Sequence, residues 1–540
     1  MRFYPDRKQA QEIDRYTQEN IGIPGIVLME RAAIKLADHI AAVCEKLDGF
    51  DKKKDRILAV VEGGNNGGDA VAAARLLKCK GYNSYVYEIG GISKKTESYL
   101  KQVEIAKKLS VTFIGQQDID YRFSGFSLII DGIFGVGLSR EITGIHADVI
   151  NAINRASSQN ACYVVGCDIP SGISSDDGEI LGTAVRCDMT VTFQYIKYGC
   201  LINEGRAYSG QIFCEDIGLY KTDSLSAMAE VLKTTGTDHI FYEDDKDGFM
   251  FHLPTRKADS NKGSCGKVLI VAGSEDIYGA LYMCAEACFR SGAGLVKIVS
   301  HVRNRDLCMD KLPEAMMLTY DTDHNDAAFD ETYKKAIEWA DVILAGPGLG
   351  TGVFSKHLLE TLIASCRSGQ SMVFDADALN IISGMDVHTV CAGLVKKLGY
   401  EHVIITPHMG EMLRLLKGSC DMEQLKKSRA AVASGFADTN GIICILKDAR
   451  TLIGCSGSIC GMRPVYVNTT GNSGMAKGGS GDVLAGIIAG IIAQNTDDEK
   501  TNYEMCCAAV SIHGNAGDRA REEKGERAML ARDIIDKLCL

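Results

Sequence analysis

The stretch GNSGMAKGGSGDVLAGIIAG (471–490) sets a glycine-rich loop against the start of an apolar helix. Backbone N–H groups of Gly478, Gly479, Ser480 and Gly481 can form an anion nest, and the helix dipole adds positive potential. Asp482 follows at once. A carboxylate repels phosphate, so beside such a nest its use is to take the proton of a hydroxyl about to receive phosphoryl. As the N-cap of VLAGIIAGIIA it would need no chemistry at all. On this motif alone the two readings stand level.

Other strand ends tip the balance toward chemistry. DADALN (375–380) is a second acidic strand end, TPHMGEMLRLL (406–416) puts His408 and Glu411 at a turn, and ILKDART (445–451) supplies Lys447 and Thr451. GALYMCAEACFRSGAGLV (279–296) reads as a helix entered through small residues, which lets a planar ligand approach Ala280. Gly346, Gly348 and Gly350 in GPGLGTG imitate a dinucleotide fingerprint, an unspecific signal by itself. GSCGK (263–267) lacks the P-loop spacing, and Lys267 is expected to begin a strand.

A second group lies near the N-terminus. EGGNNGGDA (62–70) follows a strand pattern and opens a helix. Its glycines permit a tight turn and close ligand approach, Asn65 and Asn66 offer amides, and Asp69 adds a carboxylate or a cap. IIDGIFGVGLSRE (129–141) puts Asp131 at a strand terminus before an open loop, and CDIPSG (167–172) places Asp168 and Ser171 around Pro170. In open α/β sheets ligands collect beyond the carboxyl ends of strands, so these loops can converge. Oxygen ligands from Asn66, Asp131 and Ser171 suit a hard cation.

The elements that must position these groups alternate throughout. Residues 1–220 carry β-branched runs starting near 56, 83, 126, 161 and 189, with helices over 26–47, 67–81 and 99–110. Residues 241–540 repeat the alternation, with strands starting near 267, 294, 341, 371, 402 and 441 and a hairpin over 450–462. The small polar residues and acids between them predict a linker at 221–240. The fold class is therefore α/β, a doubly wound sheet followed by a second α/β domain.

At 540 residues two domains are expected. A net charge of −11 argues against nucleic acid as the main ligand. The 57 glycines against 8 prolines fit many strand-to-helix turns rather than disorder. No signal core or membrane-length apolar run is present, and the 20 cysteines include no C-x-x-C pair. Buried thiols in a reducing, cytoplasmic setting are expected.

GNNGGD, DGIFGVG and DIPSG, in this order after GIPGIVLMERA, resemble the NAD(P)H-hydrate epimerase domain over most of residues 1–220. The resemblance implies a Rossmann-like fold, with K+ on Asn66, Asp131 and Ser171. It implies that the hydrated nicotinamide nucleotide meets Asn65, Asn66, Gly67, Gly68 and Asp69, then Gly135, Val136, Gly137, Leu138, Ser139, Arg140 and Glu141, and also Asp168. The hydrate is a hemiaminal that can lose and regain its hydroxyl, and Asp168 is the acid–base group expected to assist. Ala70 stands where that family often has glycine.

VAGS…GA, GPGLG, DADALN, TPHMGE and GNSGMAKGGSGD resemble the nucleotide-dependent NAD(P)H-hydrate dehydratase family over residues 241–540. This implies a ribokinase-like fold, with the hydrate on Ala280, Gly350, His408 and Asp482. It implies adenine nucleotide (ADP or ATP, with Mg2+) along Lys447, Asp448, Ala449, Arg450 and Thr451 and at Gly481. Met409 replaces the usual proline, and Asp448 the usual glycine. The whole chain is then expected to be a bifunctional repair enzyme acting on NADHX and NADPHX, as a homo-oligomer with neither membrane nor nucleic-acid partner. Asp482 would take the hydroxyl proton for phosphoryl transfer before elimination. The alternatives are a ribokinase-like small-molecule or vitamin kinase, and a first half that binds nucleotide without catalysis.

Overall fold

Runs such as RILAVV and LIIDG are apolar on both faces, so they settle between helix layers rather than at a surface. In the computed structural model, which describes residues 1–90, 95–115, 123, 125–160, 162–245, 253–256, 258–322, 327–495 and 500–539, they become central strands. The chain divides into two units, residues 2–241 with 460–462, and residue 1 with 242–459 and 463–540.

In the first unit β1 (Arg2–Phe3) precedes seven sheet strands. These are β2 (Arg56–Val61), β3 (Asn83–Glu88), β4 (Thr112–Ile114), β5 (Leu128–Gly132), β6 (Tyr163–Cys167), β7 (Met189–Phe193) and β8 (Gln211–Glu215). They pair in parallel in the order β4-β3-β2-β5-β6-β7-β8. The order reverses at β2 and β5, and a crevice at such a switch point is where ligands bind. The helix Gly25–Lys46 buries Leu28, Leu36 and Ile40 against this sheet's core, with the alanine-rich face of the helix Asn65–Cys79. The segment 221–240 is itself ordered: Ser224 caps the helix Leu225–Leu232 by accepting from Ala227 N, and β9 (His239–Glu243) begins at its end. Burial of Met228, Val231 and Leu232 holds that helix in place.

The second unit has a nine-stranded run made of β10 (Lys267–Val271), β11 (Leu295–His301), β12 (Met316–Tyr320), β13 (Val342–Ala345), β14 (Ser371–Phe374), β15 (Val403–Ile405), β16 (Ile443–Leu446), β17 (Leu452–Gly454) and β18 (Arg463–Val467). Its order is β18-β17-β16-β15-β14-β13-β10-β11-β12. All pairs are parallel except β16–β17 and β17–β18. Lys267 does begin a strand, and the hairpin expected within 450–462 is longer, its second strand β18 starting only at Arg463. The helix Ser480–Ile492 is apolar all round because it is buried on every side. Gly486 and Gly490 let it lie against the helix Gly279–Arg290: a Cβ at Gly486 would stand 2.1 Å from the Cys284 carbonyl oxygen. All 20 cysteines are free thiols, and no single described helix is long and apolar enough to cross a membrane.

Candidate functional site

Gly479 adopts φ +98, a left-handed conformation that glycine takes without strain, and it is the residue that caps the helix Ser480–Ile492. The N-cap reading of Asp482 therefore falls. Asp482 sits in the helix's first turn and accepts no hydrogen bond there. Burial, then the charges of Asp375, Asp377 and Glu411, push its carboxyl up to about 7 against the opposing pull of Lys447. A carboxylate that titrates near neutrality and lacks a structural bond is suited to proton transfer.

The predicted companions gather around one cation. Lys447 Nζ donates to Asp375 Oδ1 at 2.5 Å, and Asp375 also accepts from Thr406 Oγ1 at 2.7 Å. Burial works against the Lys447 charge, but Asp375, Glu411 and Asp482 together hold its ammonium above the ordinary value. Lys447 Nζ would come within 3.2 Å of a Cβ at Gly481, so lysine and loop face each other. Gly350, at φ +75, donates its N–H to Asp377 Oδ2 at 2.8 Å, which ties GPGLG to DADALN. Ala280 lies in the first turn of its helix, within reach of Gly348, where a Cβ would be 3.1 Å from the Ala280 Cβ. His408 is the N-cap of the helix Met409–Leu415, its Nδ1 accepting from Gly410 N and Glu411 N while Glu411 returns a bond to His408 N. Its Nε2 lies 3.3 Å from Glu411 Oε1 and the ring stays half exposed, so the cap and Glu411 together fix its direction. Met409 packs on the main core of this unit.

Asp448 pairs with Arg429, whose side chain is only 6% exposed. Arg450 donates to the Thr469 carbonyl at 2.8 Å, and the Thr451 hydroxyl lies 3.4 Å from the Asp448 carbonyl. Ala449 lies exposed in the bend between Asp448 and Arg450. The sequence reading missed the helix Asn502–Lys524 as a buttress. Asp518 accepts from Gly471 N at 2.9 Å and Asn472 Nδ2 at 3.0 Å, and Gly514 and Gly517 leave room for Thr470 and Met475. His513 is buried beside Ser480, and burial lowers it to about 4, so it stays neutral. The HGNAGD run (513–518) was the available signal.

In the first unit one cavity of about 750 Å³ takes in most of the predicted contacts. Its wall includes Asn65, Asn66, Asp69, Gly135, Val136, Gly137, Leu138, Ser139, Arg140 and Asp168. Gly67, Gly68 and Glu141 are not in that wall. Gly67 and Gly68 serve packing: a Cβ at Gly67 would stand 1.9 Å from the Glu62 carbonyl oxygen, and one at Gly68 would meet Met29 at 2.7 Å. Ala70 fits because Gly132 opposite it has no side chain. Gly64, not Asp69, caps the helix Asn65–Cys79.

Asp168 lies at φ +68, an unusual conformation for aspartate, at the end of β6. Its Oδ1 accepts from Thr192 Oγ1 at 3.1 Å, Phe193 N at 3.2 Å and Lys197 Nζ. Lys197, whose side chain is 6% exposed, was not anticipated, because an isolated lysine in QYIKYG carries no pattern. Asp131 is fully buried, accepting from Ser171 N at 2.7 Å, Ser171 Oγ at 2.6 Å and Ile133 N at 3.3 Å. Burial nevertheless raises it to about 6, against those bonds. Asn66 Nδ2 is buried without a partner, and Asn66 crowds Gly135, whose Cβ would be 3.3 Å from Asn66 Oδ1. Amide orientation is assigned from partners, so a turned Asn66 would bring its oxygen to the same buried spot. One buried carboxylate, a hydroxyl and an amide make an oxygen set that fits a monovalent cation. Among the described residues no cluster of three or more His, Cys, Asp or Glu could hold a metal.

Comparison with known proteins agrees with both halves. A family model for NAD(P)H-hydrate dehydratase matches residues 268–540, and one for the YjeF-related protein N-terminus matches residues 25–199. The chain is 32% identical to the Leishmania major bifunctional NAD(P)H-hydrate repair enzyme, over 97% of this chain and 90% of that protein. It is 33% identical to the Coxiella burnetii enzyme of the same description, over 98% and 97%. Among solved structures, an Enterococcus faecalis ribokinase-like superfamily protein is 31% identical, covering 55% of this chain and 94% of that one with a TM-score of 0.46. The ADP/ATP-dependent NAD(P)H-hydrate dehydratase of Bacillus subtilis, co-crystallised with ATP/Mg2+, is 26% identical, covering 54% and 95% with a TM-score of 0.43. The chain belongs to the family of bifunctional NAD(P)H-hydrate repair enzymes.

Proposed function

We propose that the first unit equilibrates the R and S hydrates of NADH and NADPH, and that the second dehydrates the S form with ADP or ATP. The observation that carries the dehydratase half is Asp482, unbonded in the first turn behind the glycine loop and poised near neutrality. There Asp482 takes the hydroxyl proton, the Gly478–Gly481 backbone receives the transferring phosphoryl, and Lys447 offsets the carboxylates around it. Ala280, Gly350 and His408 border the hydrate, and Lys447–Thr451 with Gly481 border the nucleotide. Mg2+ entering with the nucleotide would supply charge neutralisation on the phosphates.

In the epimerase half the cavity wall binds the hydrate, and Asn66, Asp131 and Ser171 would hold K+, which supplies a fixed positive charge. Asp168, with one oxygen saturated by three donors, suits charge stabilisation of a cationic intermediate better than proton carriage. The test is NAD(P)H recovery from a mixed R/S hydrate, with Mg2+, K+ and each nucleotide in turn. Recovery beyond the S fraction requires both sites. A stable phosphorylated product without NAD(P)H would instead support the small-molecule kinase reading.

A further inference from the structure

The first unit's cavity is lined by four carboxylates, Asp14, Glu62, Asp69 and Asp168, and one buried lysine, Lys197. They come from different elements: Asp14 from the helix Arg7–Tyr16, Asp69 from the helix Asn65–Cys79, Asp168 from the end of β6 and Lys197 from beyond β7. Their bonding differs sharply. Asp168 is held by Thr192, Phe193 and Lys197, Asp14 accepts from Gln18 Nε2 at 2.7 Å, and Glu62 pairs with His146 Nε2 at 2.9 Å. Asp69 reaches the same cavity half-buried, with no hydrogen bond or ion pair among the described residues.

We propose that Asp69 is the catalytic acid of epimerisation, the group that protonates the departing hydroxyl of the hydrate, while the Asp168–Lys197 pair holds the charge of the intermediate. This rests on the epimerase reading of the first unit. Three facts lead to it. A proton donor must touch substrate, and Asp69 lines the cavity. It must have a free carboxyl, which only Asp69 of the four possesses. It must carry its proton at working pH, and burial, followed by the negative charges of Asp168 and Asp14, raises Asp69 well above the carboxylate range, with Lys197 acting the other way. The buried Cys167 thiol is itself pushed up and stays uncharged, and Glu62, paired with His146, and Arg140 complete the charged groups of the wall.

The step balances without any further reagent. Asp69 gives its proton to the hydroxyl oxygen as the ring C–O bond breaks, and the bonding pair leaves with the oxygen as water. The ring-nitrogen lone pair closes a C=N bond, and the resulting cation lies against the Asp168 carboxylate. Water then adds to the other face of that carbon, and its surplus proton returns to Asp69 through solvent in the cavity. Epimerisation thus needs one acid, cycled once per turnover.

The test is steady-state R/S interconversion of NADHX by the full chain with K+ present, the spontaneous rate subtracted. Asp69→Asn should lower kcat at least ~100-fold with KM unchanged within about threefold. A second reading uses the unaltered protein: its epimerase kcat should hold at low pH and decline as pH rises through one ionisation above the ordinary carboxylate range. An Asp69→Asn protein with kcat within about threefold of the parent would overturn the assignment. So would a rise in KM alone, which makes Asp69 a ligand, or a parent kcat flat from about pH 5 to 9. If the parent does not epimerise at all, the epimerase reading itself fails, a different result from any of these.

Discussion

Lys447 Nζ lies 2.5 Å from Asp375 Oδ1 and on the face that meets the glycine loop at Gly481. One ammonium thus answers a buried carboxylate and tempers the Asp482 carboxyl. Removing it has two separable effects. Lys447→Met strands Asp375 as a buried charge, at a cost of about 3–5 kcal/mol in unfolding stability. It also takes away the cation that lowers Asp482, so the residual dehydratase activity should titrate at higher pH than the parent's. Denaturant unfolding and a kcat–pH profile read the two separately.

Asp482 must be ionised to act as base. Its carboxyl is raised to about 7, so dehydratase kcat should be low near pH 5, climb through about 7 and level off above it. Asp482→Ala should remove dehydration, a loss of at least ~100-fold, while nucleotide binding and R/S interconversion persist. Full dehydration by Asp482→Ala would remove the base assignment.

How much of this was legible beforehand differs by kind of residue. Strand-to-helix glycine turns announce themselves, because only glycine meets the demands of Gly479 at φ +98 or Gly67 beneath the Glu62 carbonyl. The motif residues at strand ends were legible for the same reason, since loop chemistry clusters locally in sequence. Lys197, Arg429 and Asp518 were not. Each acts on a partner 19 to 47 residues away, Lys197 on Asp168 at 29, Arg429 on Asp448 at 19 and Asp518 on Gly471 at 47. Such pairings leave no periodicity or spacing for a single sequence to reveal. The edge strands β4 and β12 also escaped notice, because Thr112–Ile114 is short and Met316–Tyr320 is partly exposed, without the buried strand's apolar run.

Asp448 looked like a charge misplaced beside a nucleotide, and its pairing with Arg429 assigns it to the protein instead. Asp448→Gly should therefore change nucleotide affinity by less than about threefold. It should cost about 2 kcal/mol of stability, since Arg429 is buried while Asp448 is partly exposed. Calorimetric nucleotide binding together with unfolding would show this; a tenfold gain in affinity at unchanged stability would mean that the carboxylate faces the nucleotide after all.

The candidate cation site makes a prediction that splits the two activities. Asp131 and Ser171 are already locked together by two hydrogen bonds, and the Asn66 amide is buried without a partner beside Gly135. A smaller ion cannot span these fixed oxygens without losing a contact, and ligand spacing rather than charge sets the preference. Exchanging K+ for Li+ should therefore slow R/S interconversion about tenfold or more while dehydration of pure S hydrate, which uses the other unit, changes little. Ser171→Ala should remove the hydroxyl, leave the backbone bond from Ser171 N to Asp131, and reproduce the slow rate even in K+. Equal rates in K+ and Li+ would show that Asn66, Asp131 and Ser171 serve the fold of the loop alone.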